Sequence, residues 1–158
     1  MGQDFKDKAV VIAPPPLIFA ALLILGLLIH RAFPVRFLPD MYAVRQAVGI
    51  FLLIVPTVLS VLSLITLWKR NTTVGFNKPT AEIVNDGPFR FTRNPLYVSL
   101  LLFYCGIAVL LNSLWFILLL PVMFVVIDRG VVRREEKYLE QKFGEEYLRY
   151  KKSVRRWI

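Results

Sequence analysis

Apolar positions in this chain fall in long uncharged blocks, not at the spacings of a half-buried helix or strand. Ala9 to Ile29 carries no charge, and Pro14, Pro15 and Pro16 near its start suit a first helical turn. A helix from about Pro15 to His30 or Arg31 is predicted. Ala47 to Trp68 is 22 residues without a charge, which meets the roughly 20 that a helix needs to cross a bilayer. Pro56 is expected to kink it, and Trp68, Lys69 and Arg70 form an interfacial anchor at its end.

Pro95 to Ile127 is an uncharged run of 33 residues. As one helix it would measure about 50 Å, well beyond a hydrocarbon core of about 30 Å. Asn112 and Ser113 supply a polar turn near its middle, so the run is read as two short helices, Pro95 to Leu111 and Leu114 to Ile127. Pro121 is expected to bend the second, and both are short enough to require tilt or local thinning. The fold class expected is therefore all-α and membrane-integral. It has about four transmembrane helices, the last two a short hairpin, and a cytoplasmic amphipathic helix at the C-terminus. Residues 1–158 are read as a single domain.

Composition supports lipid as the solvent: 56% of residues are apolar, above the roughly 45 to 50% of soluble domains. Asp4, Lys6, Asp7 and Lys8 cancel in charge, so the first block is read as a retained span and not a signal peptide. The net charge of +9 is assigned to membrane-flanking loops and not to nucleic acid. With both termini inside, 17 Lys and Arg lie on the cytoplasmic side and 3 outside, as the positive-inside rule prefers. In that topology the glycosylation acceptor Asn71-Thr72-Thr73 is cytoplasmic and silent.

Cys105 and His30 are the single cysteine and histidine, which excludes a disulfide framework and a Cys/His zinc site, and no metal is expected. The four spans carry no charged side chain, which argues against a proton-coupled pump.

Polar residues concentrate in two segments. In Asp86 to Tyr97, Asp86-Gly87-Pro88 is a turn signal, and Asn94-Pro95 reads as an N-cap followed by an N1 proline. Free N–H groups at that helix start, flanked by Arg90 and Arg93, would suit a carboxylate or phosphate, although cap and interfacial anchors account for the same residues. In Arg129 to Trp157, Val132, Leu139 and Phe143 form one helical stripe, with Glu136 on it and Glu135 at its edge. A carboxylate on a buried stripe pairs with an arginine or binds a cationic ligand, unless the whole run is simply solvated. Gly144 is expected to end this helix. The hairpin would return the tail to the side of Asp86 to Tyr97.

The ordered set Gly87-Pro88-Phe89, Arg93-Asn94-Pro95-Leu96-Tyr97, Arg133-Arg134-Glu135-Glu136 and Phe143-Gly144-Glu145-Glu146-Tyr147-Leu148-Arg149-Tyr150 resembles the isoprenylcysteine carboxyl methyltransferase family and its phospholipid methyltransferase relatives. The resemblance covers Lys78 to Trp157. It implies an S-adenosylmethionine site enclosed by membrane helices and tail, with a tunnel for a lipid-like or prenylated methyl acceptor. Carried over, the cofactor residues are Ile83 and Val84 in a strand-like entry segment, Phe89, Asn94, Pro95, Leu96, Tyr97 and Glu135. Asn94 stands where the family has histidine, which keeps a hydrogen bond but removes any charge. The family's acceptor-orienting arginine falls to Arg133, or to Arg129. Arg133 and Glu136 are the catalytic candidates.

Sulfonium methyl transfer is a displacement that needs positioning more than a catalytic triad, so the lack of His and Cys is no obstacle. Tyr97 and Tyr138 could face the cofactor's cation, and the eight glycines contain no G-x-G-x-x-G. Carboxyl methylation is the first reading. The alternatives are methylation of a phospholipid amine and, from another class, a non-enzymatic four-helix scaffold.

Overall fold

The computed structural model describes residues 9–39, 41–70 and 82–158, and every described element is helical. Asn71-Thr72-Thr73 and the first residues of the motif-bearing half, from Lys78, lie outside the described residues. In chain order the helices are α1 (Pro15–Ala32), α2 (Tyr42–Lys69), α3 (Pro95–Leu111), α4 (Leu114–Ile127), α5 (Arg133–Phe143) and α6 (Glu145–Ser153). A short 3₁₀ turn, Gly87–Arg90, precedes α3, and a π turn, Asp128–Val132, joins α4 to α5.

Among the described residues, three helical runs are long and apolar enough to cross a membrane: Pro15–Ala32, Tyr42–Lys69 and Leu114–Phe143. The apolar α3 has 17 residues and completes the set of four. The lipid-facing side is evident from α1 and α2, where Leu17, Leu28, Phe51 and Ile54 are each more than half exposed. So much exposed Leu, Ile and Phe on two adjacent helices is what a bilayer covers. The protein is therefore an all-α membrane protein. Its core lies between α1, α3 and α4, where Tyr104, Phe116, Met123 and Ile127 are fully buried and the Tyr104 and Phe116 rings sit 5.2 Å apart.

Sequence and structure agree on the hairpin. α3 and α4 have the ends that the uncharged run predicts, and Asn112 takes the left-handed conformation (φ 49°, ψ 49°) that ends α3. Its side chain locks the turn to the α1–α2 connection: Oδ1 accepts from Phe37 N (3.2 Å) and Leu38 N (2.9 Å), and Nδ2 donates to Leu38 O (3.0 Å). Asn112→Gly keeps the backbone conformation and loses these bonds, whereas Asn112→Ala loses both. Thermal unfolding in detergent is expected to rank them wild type, Gly, Ala, with Ala lower by about 2 to 3 kcal/mol. Equal stability of all three would mean that the turn does not depend on Asn112.

α2 begins at Tyr42, earlier than the uncharged block, and takes in Arg45, whose guanidinium donates to the Leu110 carbonyl. Pro56 and Pro121 lie inside helices that continue past them. α2 passes close to α3 at Gly106, where an added Cβ would lie 3.0 Å from the Leu52 carbonyl.

The tail differs from the expectation of one interfacial helix. α4 runs through the π turn into α5 as one rod, Leu114–Phe143, and a second tail helix, α6, follows. The physical reason is that no helix breaker stands between Ile127 and Arg133: Gly130 is accommodated in the π turn, where the Ile12 N–H donates to its carbonyl (3.1 Å). The rod's apolar part ends at Ile127, and its charged part begins at Asp128. Gly144 does break the rod. Its φ of 53° with ψ of −125° is open to glycine and strained for other residues.

Candidate functional site

The site forms where α3 begins and α4 has emerged as α5. Asp86 anchors the approach, accepting from Arg70 Nη2 at 2.9 Å, and Gly87–Arg90 then make a single 3₁₀ turn. Ile83 and Val84 precede it without forming a strand, Val84 buried and Ile83 partly so. Phe89 is partly buried, and its carbonyl accepts from the Tyr150 hydroxyl (2.8 Å), which ties α6 to the turn. Burial pushes the Tyr150 and Tyr147 hydroxyls well above the ordinary tyrosine range, so both remain protonated donors.

Asn94 does not cap α3, contrary to the sequence expectation. Its Nδ2 instead donates to the Arg156 carbonyl (2.8 Å), which also accepts from the Thr92 hydroxyl (3.1 Å), while Arg93 N donates to the Arg155 carbonyl (2.9 Å). The reason is competition. The C-terminal strap, Val154 to Trp157, lies along Thr92 to Asn94, and its Arg156 carbonyl draws the asparagine amide away from the helix start. Pro95 and Leu96 open α3, and the N–H groups of Tyr97 and Val98 both turn to the Asn94 carbonyl at 3.0 Å. The Tyr97 N–H is therefore occupied, and not open as the anion-site alternative for this helix start requires.

The two tail glutamates have different surroundings. Glu135 is half-buried, and both of its oxygens lie 2.9 Å from the Tyr97 hydroxyl, which donates. Burial pushes its carboxyl up to about 7, while the Tyr97 bond works in the opposite direction. Glu136 is 5% exposed and ion-paired on two sides. Arg93 Nη2 lies 3.1 Å from Oε1, and Arg156 Nη2 lies 2.6 Å from Oε2. Hydrogen bonding to Glu136 holds Arg156 charged.

Arg133 is 56% exposed on its side chain and donates through Nε to Asp128 Oδ2 at 2.7 Å. Asp128 is buried and also receives the Trp157 indole N–H (3.3 Å) on Oδ1, with Arg156 Nη1 3.6 Å away. Of the sequence candidates, Glu135 and Tyr97 are therefore in direct contact. Glu136 pairs with the neighbours of Asn94, and Arg133 is held by a different acid.

Three residues of this network were not singled out from sequence: Arg93 as an acid's partner, Asp128 and Arg156. Asp128 carried a signal, being a lone acid at the end of a long apolar run, which requires a cation nearby. Arg93 has a further property. Its side chain is 7% exposed, and Nε and Nη1 have no hydrogen-bond partner among the described residues. Buried guanidinium donors left open in this way suit a carboxylate. No group of three or more His, Cys, Asp or Glu able to hold a metal occurs among the described residues.

The bundle of apolar helices thus brings the start of α3 against α5, with Tyr97 on Glu135 and Arg93 on Glu136. Residues 44–146 match the phospholipid methyltransferase family, and the chain belongs to it. It is thus a membrane protein of a family of methyltransferases that act on lipids. The match takes in all but the first two residues of α2, and ends two residues into α6, before the strap that holds Asn94. The chain is also 43% identical over 63 residues to an uncharacterized protein of Haemophilus influenzae, covering all of that protein and 40% of this chain.

Proposed function

We propose that the protein transfers a methyl group from S-adenosylmethionine to a lipid-like acceptor, at a site facing the cytoplasm with both termini on that side. The observation that carries this reading is the Tyr97–Glu135 contact. It places an acid with a carboxyl near 7 and an aromatic ring together, and the open donors of Arg93 belong to the segment that leads into the same helix. These groups suit the cofactor: Glu135 and Tyr97 its cationic end, and Arg93 a carboxylate. Ile83, Val84, Phe89, Pro95 and Leu96 supply apolar surface, and Asn94 fixes the strap. When bound, S-adenosylmethionine supplies a methyl group activated on a sulfonium. The chain's part is to hold the acceptor in line and exclude water.

The pH dependence follows from Glu135. Its carboxyl is mostly protonated at pH 6 and mostly ionised at pH 8, and only the ionised form attracts a cation. Affinity for S-adenosylmethionine is therefore expected to rise from pH 6 to 8 and flatten above. Calorimetry in buffers of different ionisation enthalpy should detect proton release at pH 6 that vanishes at pH 8. An affinity independent of pH across that range would remove Glu135 from the cation site.

For the acceptor, the first reading is a carboxylate of the prenylated-cysteine type, held by an arginine. Arg133 is the candidate for that role: its side chain is 56% exposed, and it donates to Asp128 through Nε. The match to the phospholipid methyltransferase family favours a second reading, an amine headgroup whose proton passes to Glu135. Labelled methyl transfer onto prenylated cysteine and onto phosphatidylethanolamine separates them. An ester releases its methyl as methanol in alkali, and an N-methyl group does not. Alkali-labile product is the expected result, and alkali-stable product on phosphatidylethanolamine would overturn the carboxyl reading in favour of the amine.

A further inference from the structure

At the opposite end of α3, about 20 Å of helix away from Tyr97, the fold forms a half-open pocket with basic residues in its lining. It is a cavity of about 350 Å³ lined by His30, Pro34, Arg36, Tyr42, Arg45, Leu111 and Asn112. Its walls are fixed by contacts already described. Asn112 holds Phe37 and Leu38, Arg45 holds the Leu110 carbonyl, and Leu114 N donates to the Val35 carbonyl (3.0 Å). The volume lies within the range of small-ligand sites, well above the roughly 30 Å³ of a water molecule.

Its charge is one-sided. Between His30 and Gln46 the sequence has three arginines and one histidine against the single acid Asp40, which lies outside the described residues, and the α3–α4 turn adds no acid. Two of those arginines and the histidine line the cavity. His30 Nδ1 is buried with no hydrogen-bond partner among the described residues. Tyr42 stacks against the Arg45 guanidinium at 5.5 Å, which holds that cation in place. The rim carries an exposed aromatic, Tyr42, 69% accessible, as at the headgroup level of a bilayer.

We propose that this cavity binds a phosphate group, and that its ordinary source is the headgroup of an anionic phospholipid seated between the α1–α2 connection and the α3–α4 turn. A guanidinium pair with an imidazole matches phosphate geometry, and the aromatic rim meets the glycerol and upper acyl region. The proposal stands apart from the methyltransferase reading and uses none of its residues.

The test is native mass spectrometry of the full chain in detergent, offered phosphatidylglycerol or diacylglycerol, which lacks phosphate. Retention of phosphatidylglycerol but not diacylglycerol is expected. Arg36→Gln, at an exposed position, and Arg45→Gln should each weaken retention roughly tenfold, the scale of one charge-assisted contact. Arg36→Gln keeps the test decisive if loss of the Arg45 bond to Leu110 disturbs the helices. Inorganic phosphate that competes with the lipid, or that alone raises thermal stability in an Arg36-dependent way, also supports the site and assigns free phosphate as a source. Equal retention of both lipids, or unchanged phosphatidylglycerol retention in Arg36→Gln, would overturn the proposal.

Discussion

Glu136→Gln is expected to destabilise the folded chain by about 3 kcal/mol, a fall of roughly 6 to 12 °C in thermal midpoint. Glu136 is the shared acid of two arginines, and Arg93 is the costlier one to leave alone, with 7% of its side chain exposed. Arg156 is 30% exposed and can recover water. A buried cation without its partner carries an unrecovered desolvation cost, larger than the attraction the pair supplied. The same reasoning predicts rescue: Arg93→Met with Glu136→Met should regain most of the loss, because neither charge then remains. Thermal unfolding of the single and double variants in one detergent checks both. An unchanged midpoint for Glu136→Gln would show that the Arg93 and Arg156 bridges do not hold the strap to α3.

The second large effect falls on the preceding residue, with the opposite consequence for stability. Glu135 has Tyr97 as its partner and no arginine within reach of an ion pair among the described residues. Its carboxyl is raised above its unfolded value of 4.5, so the folded chain binds that proton more tightly. Its contribution to stability is full below the unfolded value and is lost as pH rises through about 7. Glu135→Gln should therefore be at least as stable as the wild type at pH 8. Its affinity for S-adenosylmethionine, by contrast, should fall by about a hundredfold, the loss of one strong charged contact. Two adjacent glutamates of α5 are thus expected to separate cleanly: one needed for the fold, the other for the ligand.

The spans were legible because an uncharged run is a local property of sequence, and the hairpin because 33 uncharged residues cannot be one span and Asn112 tolerates a left-handed turn. The buried position of Glu136 was also legible from the helical wheel, since α5 is regular from Arg133 to Phe143. What periodicity could not carry was contact across the chain. Asn94 looked like a cap because capping is decided within three residues, yet its partner is the Arg156 carbonyl, 62 positions away. The division of Glu135 to Tyr97 and Glu136 to Arg93 and Arg156 depends on how α5 is rotated against α3. Continuity of α4 with α5 was missed because a change from apolar to charged composition reads as a boundary, although the backbone continues through it.

The central claim is that Glu135 and Tyr97 form part of an S-adenosylmethionine site. The most direct measurement is calorimetric titration of S-adenosylmethionine into the purified chain in detergent, wild type beside Glu135→Gln at pH 8. Saturable binding by the wild type is expected, with a loss of about a hundredfold in a variant that unfolds no earlier. Binding of equal strength by both proteins, or none by a well-folded wild type, would contradict it.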